Sequence, residues 1–165
     1  MAYQTIDRVG VNQNIAETST TKYHNYGERV RAVDPTYGEG EFIYLLGLAS
    51  TAAGDVVVFN EYTGATTRIT ARSKGPVAVA MSACVASNYG WYQVVGNAVA
   101  KAGTIASAQT AVYAAGAGAV GGVDDTVVAG DEIHGAVYAT TDGTPSAGFA
   151  VITINNPWLG DTDNT

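Results

Sequence analysis

The chain has 165 residues, 47% of them hydrophobic, with 20 glycines and a formal net charge of −7. That length suits one domain, with or without an appended arm, and buries a core without disulfides. The single cysteine, Cys84, excludes an intrachain disulfide, and no run reaches the roughly 20 apolar residues of a membrane-spanning helix.

The charge is uneven. Every Lys and Arg lies at or before Lys101, where acids balance them. Asp124, Asp125, Asp131, Glu132, Asp142, Asp161 and Asp163 follow with no cation among them. Such a segment repels nucleic-acid phosphates, which are bound by Lys and Arg, and suits an outward, solvated face. Much of the hydrophobic content is Ala and Val, which predicts a thin core supplemented by oligomerisation or docking. Met1–Thr5 lacks the basic and apolar regions of a secretory leader. The expected product is made and kept in a cytoplasm until it assembles.

Residues 1–40 show neither helical nor strand periodicity for long. They are rich in Asn, Thr and Ser, yet carry Tyr3, Tyr23, Tyr26 and Tyr37. Disordered tails are poor in aromatics, and tyrosine offers contact area with a polar tip. The expectation is an extended arm over 1–40 that orders against another surface, followed by a β-domain over 41–165. Within the arm, Glu28–Val33 alternates charged and apolar residues and reads as a first strand.

From there the signals are β. Runs at Phe42–Leu46, Asp55–Asn60, Thr66–Thr70, Val77–Cys84, Gly90–Val95 and Ala98–Lys101 are β-branched or aromatic, with Gly, Asn or Asp between them. Gly96-Asn97 reads as a tight hairpin turn. Thr104–Gly118 is ambiguous; its glycines disfavour a long helix, and a strand around Ala111-Val112-Tyr113 is preferred. Ala136–Ala139 and the final run from Phe149 flank Asp142-Gly143, a second tight turn. The predicted fold is all-β: a small sandwich or barrel of nine or ten short strands.

Chemistry-bearing patterns are sparse. Glu132-Ile133-His134 places two potential ligands on one strand face, short of the three or four that zinc requires. Neither a Gly-x-Ser-x-Gly elbow nor a GxxxxGK[ST] loop occurs, and Gly116-Ala117-Gly118 lacks a strand-to-helix setting. Asp124-Asp125 lies outside any twelve-residue calcium loop. Cys84, in Val77–Cys84, reads as a buried thiol. No catalytic residue, cofactor or metal is assigned.

Three stretches carry a resemblance: Gly90-Trp91-Tyr92-Gln93-Val94-Val95-Gly96-Asn97-Ala98; Ala108–Tyr113 with Gly121–Asp125; and Ile133–Val137 with the terminal Ala147–Pro157. Together they resemble the capsid decoration (head-stabilising, cement) proteins of tailed bacteriophages, over somewhat under half of the chain. The resemblance implies a β-rich module, commonly trimeric, bound outside a capsid, without catalysis. It implies a virion location, with the major capsid protein and further copies of the chain as partners, and neither nucleic acid nor membrane. On this reading Tyr3, Tyr23, Tyr26 and Tyr37 supply capsid contact area, and Arg29 and Arg31 pair with capsid acids. The long N-terminal part has no counterpart in the family. The alternative is a tail-fibre or receptor-binding module for a host glycan, with Trp91, Tyr92 and Trp158 stacking on sugar rings.

Overall fold

The computed structural model describes residues 4–5, 12–105, 107–116 and 118–160. These hold twelve strands and no helix: β1 (Gln4–Thr5), β2 (Thr18–Ser19), β3 (Arg29–Asp34), β4 (Gly38–Leu46), β5 (Val56–Phe59), β6 (Thr66–Arg68), β7 (Gly75–Ala80), β8 (Tyr89–Lys101), β9 (Ala111–Ala114), β10 (Val123–Asp124), β11 (Glu132–Tyr138) and β12 (Phe149–Leu159). The all-β class expected from the sequence is what the chain adopts. The strands form one antiparallel network along the path β1-β3-β4-β8-β7-β12-β11-β9-β10, with β2, β5 and β6 branching from it. The path is open at both ends.

β8 organises the network. Its first half pairs with β4, from Leu46↔Tyr89 to Glu41↔Val95. Its second half pairs with β12, from Asn155↔Val95 to Phe149↔Lys101. The expected hairpin at Gly96-Asn97 is therefore absent, because one strand runs through it and changes partner there. Gly96 is required for this exchange. Its φ is +101°, and a Cβ would lie 2.5 Å from the Glu39 carbonyl oxygen. Glycine punctuation alone does not distinguish a turn from such a crossing.

Beyond Val95 and Asn155 the two strands diverge, and β7 enters the fork. Pro76 and Gly75 pair with Trp158 and Leu159 of β12, while Val79 and Ala80 pair with Gln93 and Tyr92 of β8. β7 is antiparallel to both, although β8 and β12 are antiparallel to each other. A flat sheet forbids that combination, so β7 turns as it passes from one arm of the fork to the other. The Asp142-Gly143 turn lies within the expected β11–β12 pairing, but the connection is longer than a tight hairpin, spanning 139–148.

Alternation along β4 and β8 gives their sheet two apolar faces. One carries Ile43, Leu45, Tyr92 and Val94, packed with Val57, Phe59 and Cys84. The other carries Phe42, Tyr44 and Trp91, covered by Ile15, Val30 and Ala32. A third cluster, mostly Val, Ala and Ile from β8, β9, β11 and β12, fills the C-terminal part.

The stretch expected to be an arm contributes to this core. Ile15, Val30 and Ala32 are buried, and the proposed boundary at residue 40 falls inside β4. The reason is polar as well as apolar. Gln13 accepts from the Tyr44 hydroxyl at 2.8 Å and donates to the carbonyls of Glu17 at 2.8 Å and Tyr89 at 2.9 Å. The Trp91 indole donates to the Gln13 carbonyl at 3.1 Å. His24 packs 5.0 Å from the rings of both Tyr44 and Trp91. An irregular segment held this way needs no periodicity of its own.

Candidate interaction surfaces

Three surface features concentrate exposed or unsatisfied chemistry. The first gathers much of the predicted contact set. Tyr23 is 49% exposed, and its N–H donates to the Tyr44 hydroxyl at 3.3 Å. The Tyr26 ring stacks 6.2 Å from Tyr89, with the Lys22 ammonium 3.7 Å above its centroid. It also fills the space a side chain at Gly64 would need, since a Cβ there would meet the ring at 2.3 Å. Arg29 and Arg31 project from one exposed face of β3, about 7 Å apart as alternate strand residues. Tyr37 is half-buried at the β3–β4 turn, its carbonyl accepting from Asn97 at 3.1 Å. Tyr3 lies outside the described residues.

The arginines already have partners. Arg29 contacts Glu41 at 2.8 Å and the Asn156 amide oxygen at 2.8 Å, with Glu61 at 3.7 Å; Arg31 pairs with Glu39. A protein partner meets this stripe as a neutralised network that it must exchange with, not as bare positive charge. Sequence reasoning missed Tyr62, which is 93% exposed. Asn60 Oδ1 accepts from the N–H groups of Tyr62 and Thr63, each at 3.0 Å, and holds this turn. Neighbouring Glu61 lies against Gly27 and Arg29, which brings Tyr62 to the same end as Tyr23 and Tyr26. An aromatic at the tip of the Asn60–Gly64 turn signal was the available clue.

The second feature is a pocket of about 430 Å³ lined by Asp55, Arg68, Lys101, Ser50, Ala52 and Phe149, among others. Asp55 is 1% exposed and accepts from the Ala52 N–H at 3.0 Å. Arg68 and Lys101 approach its carboxylate at 3.6 and 3.8 Å. Two cations around one buried carboxylate clasp three chain segments together and leave a surplus positive charge at the pocket.

The third is the outer face of β11 and β12. Trp158 is 53% exposed and sits opposite His134. Beside them lies a groove of about 420 Å³ lined by Glu132, His134, Val137, Thr153 and Asn155, among others. His134 Nδ1 is 3.8 Å from Glu132 Oε1. Trp91 and Tyr92, paired with Trp158 in the glycan alternative, are buried and unavailable to a ligand. Burial also pushes the Cys84 thiol and the Tyr92 hydroxyl up from their ordinary pKa values. Among the described residues, no group of three or more His, Cys, Asp or Glu is placed to hold a metal ion. Comparison of the chain with protein-family models, with curated proteins and with solved structures finds no match.

Proposed function

We propose that this chain is a structural virion protein that binds the outside of a phage capsid, as a trimer, and stabilises the shell. The observation that carries the reading is the aromatic surface at one end of the fold: Tyr23 and Tyr62 exposed, Tyr26 braced beneath Lys22, and the Arg29–Arg31 stripe beside them. Exposed aromatics and arginines on a rigid support are what protein interfaces use as anchors. The resemblance adds the kind of partner, and its best-defined stretch, Gly90–Ala98, lies in β8 at the centre of the network.

The mechanism is linkage. A protein that binds assembled shell and not its separated subunits stabilises the shell by mass action. Three copies engaging a lattice together add avidity, so modest single contacts suffice. Because Gln13, Ile15, Val30 and Ala32 belong to the core, residues 12–34 act as a fixed face of the module.

Co-sedimentation of the purified chain with capsids that lack it tests this reading. The chain is expected to pellet with capsids and saturate. A Tyr23→Ala, Tyr62→Ala double variant is expected to weaken retention at least tenfold while remaining folded. Failure of the wild-type chain to pellet at any concentration would overturn the reading.

A further inference from the structure

The Trp158 face combines features that the shell-binding reading does not use. Gly160, two residues along the same chain face, leaves room for the indole. A Cβ at Gly160 would lie 2.7 Å from Trp158 Nε1 and 3.2 Å from Cδ1. The ring therefore lies along β12 over the glycine instead of standing away from the sheet, and it presents a broad surface to solvent. In register beside it are Pro76 on β7 and His134 on β11. Glu132, two residues along β11 from His134, pairs with Tyr113 of β9.

The adjoining groove has a specific cause. β11 bulges between His134 and Ala136, where Gly135 takes φ +79° and passes close to the Asn155 carbonyl. Between Glu132↔Tyr113 and Val137↔Ala111, β11 also loses register with β9. The floor is left uneven and edged by Glu132, Thr153 and Asn155, all reaching solvent. These side chains supply carboxylate acceptors, a hydroxyl and an amide with both donor and acceptor.

We infer that this face binds a neutral pyranose oligosaccharide, with Trp158 as the stacking platform and Glu132 and Asn155 taking its hydroxyls. Three points favour a sugar. An aromatic lying along the sheet matches the apolar C–H face of a pyranose, whereas a protein anchor fills a pocket in its partner. Polar groups that can take sugar hydroxyls stand around the ring and the groove: Glu132, His134, Asn155 and Asn156 all reach solvent, above a floor that includes Ala111, Ala136 and Val137. The adjoining groove, about 420 Å³, has room for a second ring beside the stacked one. The carboxylates of the C-terminal part, with no Lys or Arg after Lys101, disfavour sialylated or uronic sugars and select neutral ones. The inference does not depend on capsid binding, because its probe is an oligosaccharide and its residues are others.

The chain suits a direct test, since its only other tryptophan, Trp91, is buried. Titration of the full chain with neutral gluco-, manno- and N-acetylglucosamine oligosaccharides is read by tryptophan fluorescence and calorimetry. At least one is expected to give a saturable fluorescence change with a dissociation constant in the millimolar range or tighter. Trp158→Ala is expected to abolish the change and weaken calorimetric binding at least tenfold. Trp158→Phe should retain calorimetric binding in part, and Glu132→Gln should weaken it about tenfold, the scale of one charged hydrogen bond. No saturable signal from any of the three series would overturn the inference. So would calorimetric binding unchanged in Trp158→Ala. Loss of self-association or capsid retention in that variant, without sugar binding by the wild type, would assign the face to a protein partner instead.

Discussion

The two ends of this molecule are stabilised differently. Around β4 and the first half of β8, large aromatic side chains are buried together with polar partners: Trp91 and Tyr44 hydrogen-bond to Gln13, and His24 packs on both rings. Around β11, β12 and the second half of β8, the core is Val, Ala and Ile with a single large aromatic, Tyr138. The first region encloses an irregular segment and fixes it by hydrogen bonds specific to a few side chains. The second brings strands close through small residues. The aromatic end should fail at a few positions with large losses, and the small-residue end should lose stability in small steps.

The largest expected effect is at Trp91. Trp91→Ala removes the side chain that joins the N-terminal segment to β8, and core Trp→Ala changes cost about 3–5 kcal/mol. Denaturant unfolding measures it; a loss below about 1 kcal/mol would mean that residues 12–30 are not integral to the fold. Next is Gln13→Ala, which strips the Tyr44 hydroxyl and the Tyr89 carbonyl of a partner and is expected to cost about 1–3 kcal/mol. Because Gln13 lies far from β9 in sequence and packing, hydrogen exchange should rise at the N-terminal end first and leave β9, β11 and β12 protected.

An effect of intermediate size is set by pH. Burial holds the Cys84 thiol above its ordinary pKa, and Tyr44 and Tyr138 are raised chiefly by burial as well. A group whose pKa is raised on folding stabilises fully below its unfolded pKa, and that stability is lost as pH rises through the folded one. The urea midpoint should hold up to about pH 8.5, fall as the unfolded thiol ionises, and fall more steeply near pH 10 as unfolded tyrosines follow. Cys84→Ala should flatten the first part of the decline. A wild-type midpoint constant to pH 10 would contradict this assignment. The smallest effect is Ile152→Val in the C-terminal cluster, expected at about 0.5–1.5 kcal/mol by the same unfolding measurement. A loss well above that range would show the small-residue core to be as intolerant as the aromatic one.

Much of the strand content was legible because β-branched runs between glycines leave a clear period. Glu28–Val33, Asp55–Asn60 and Ala111–Tyr113 all correspond to strands. What escaped were features set by distant backbone. Gly96-Asn97 carries the residues of a turn, yet Glu39 and Gly40 approach there and the strand continues. Gln13, Ile15 and His24 gave no periodic signal, since an irregular segment is fixed by its individual bonds to β4 and β8. Of the proposed contact residues, Tyr23, Tyr26 and Arg29 lie toward one end, while Arg31 and Tyr37 continue along the β3 hairpin. Tyr62 joined them only through the packing of the β5–β6 turn. The exposure of Trp158 and burial of Trp91 likewise depend on which face each strand turns inward, and composition carries no such information.

The central claim is that this fold coats a phage shell. The most direct measurement is electron cryomicroscopy of capsids lacking the protein, incubated with the purified chain. The account predicts regular density at three-fold or quasi-three-fold positions on the outer surface, with the Tyr23 and Tyr62 end toward the shell. Bare shells, or density confined to the tail, would contradict it.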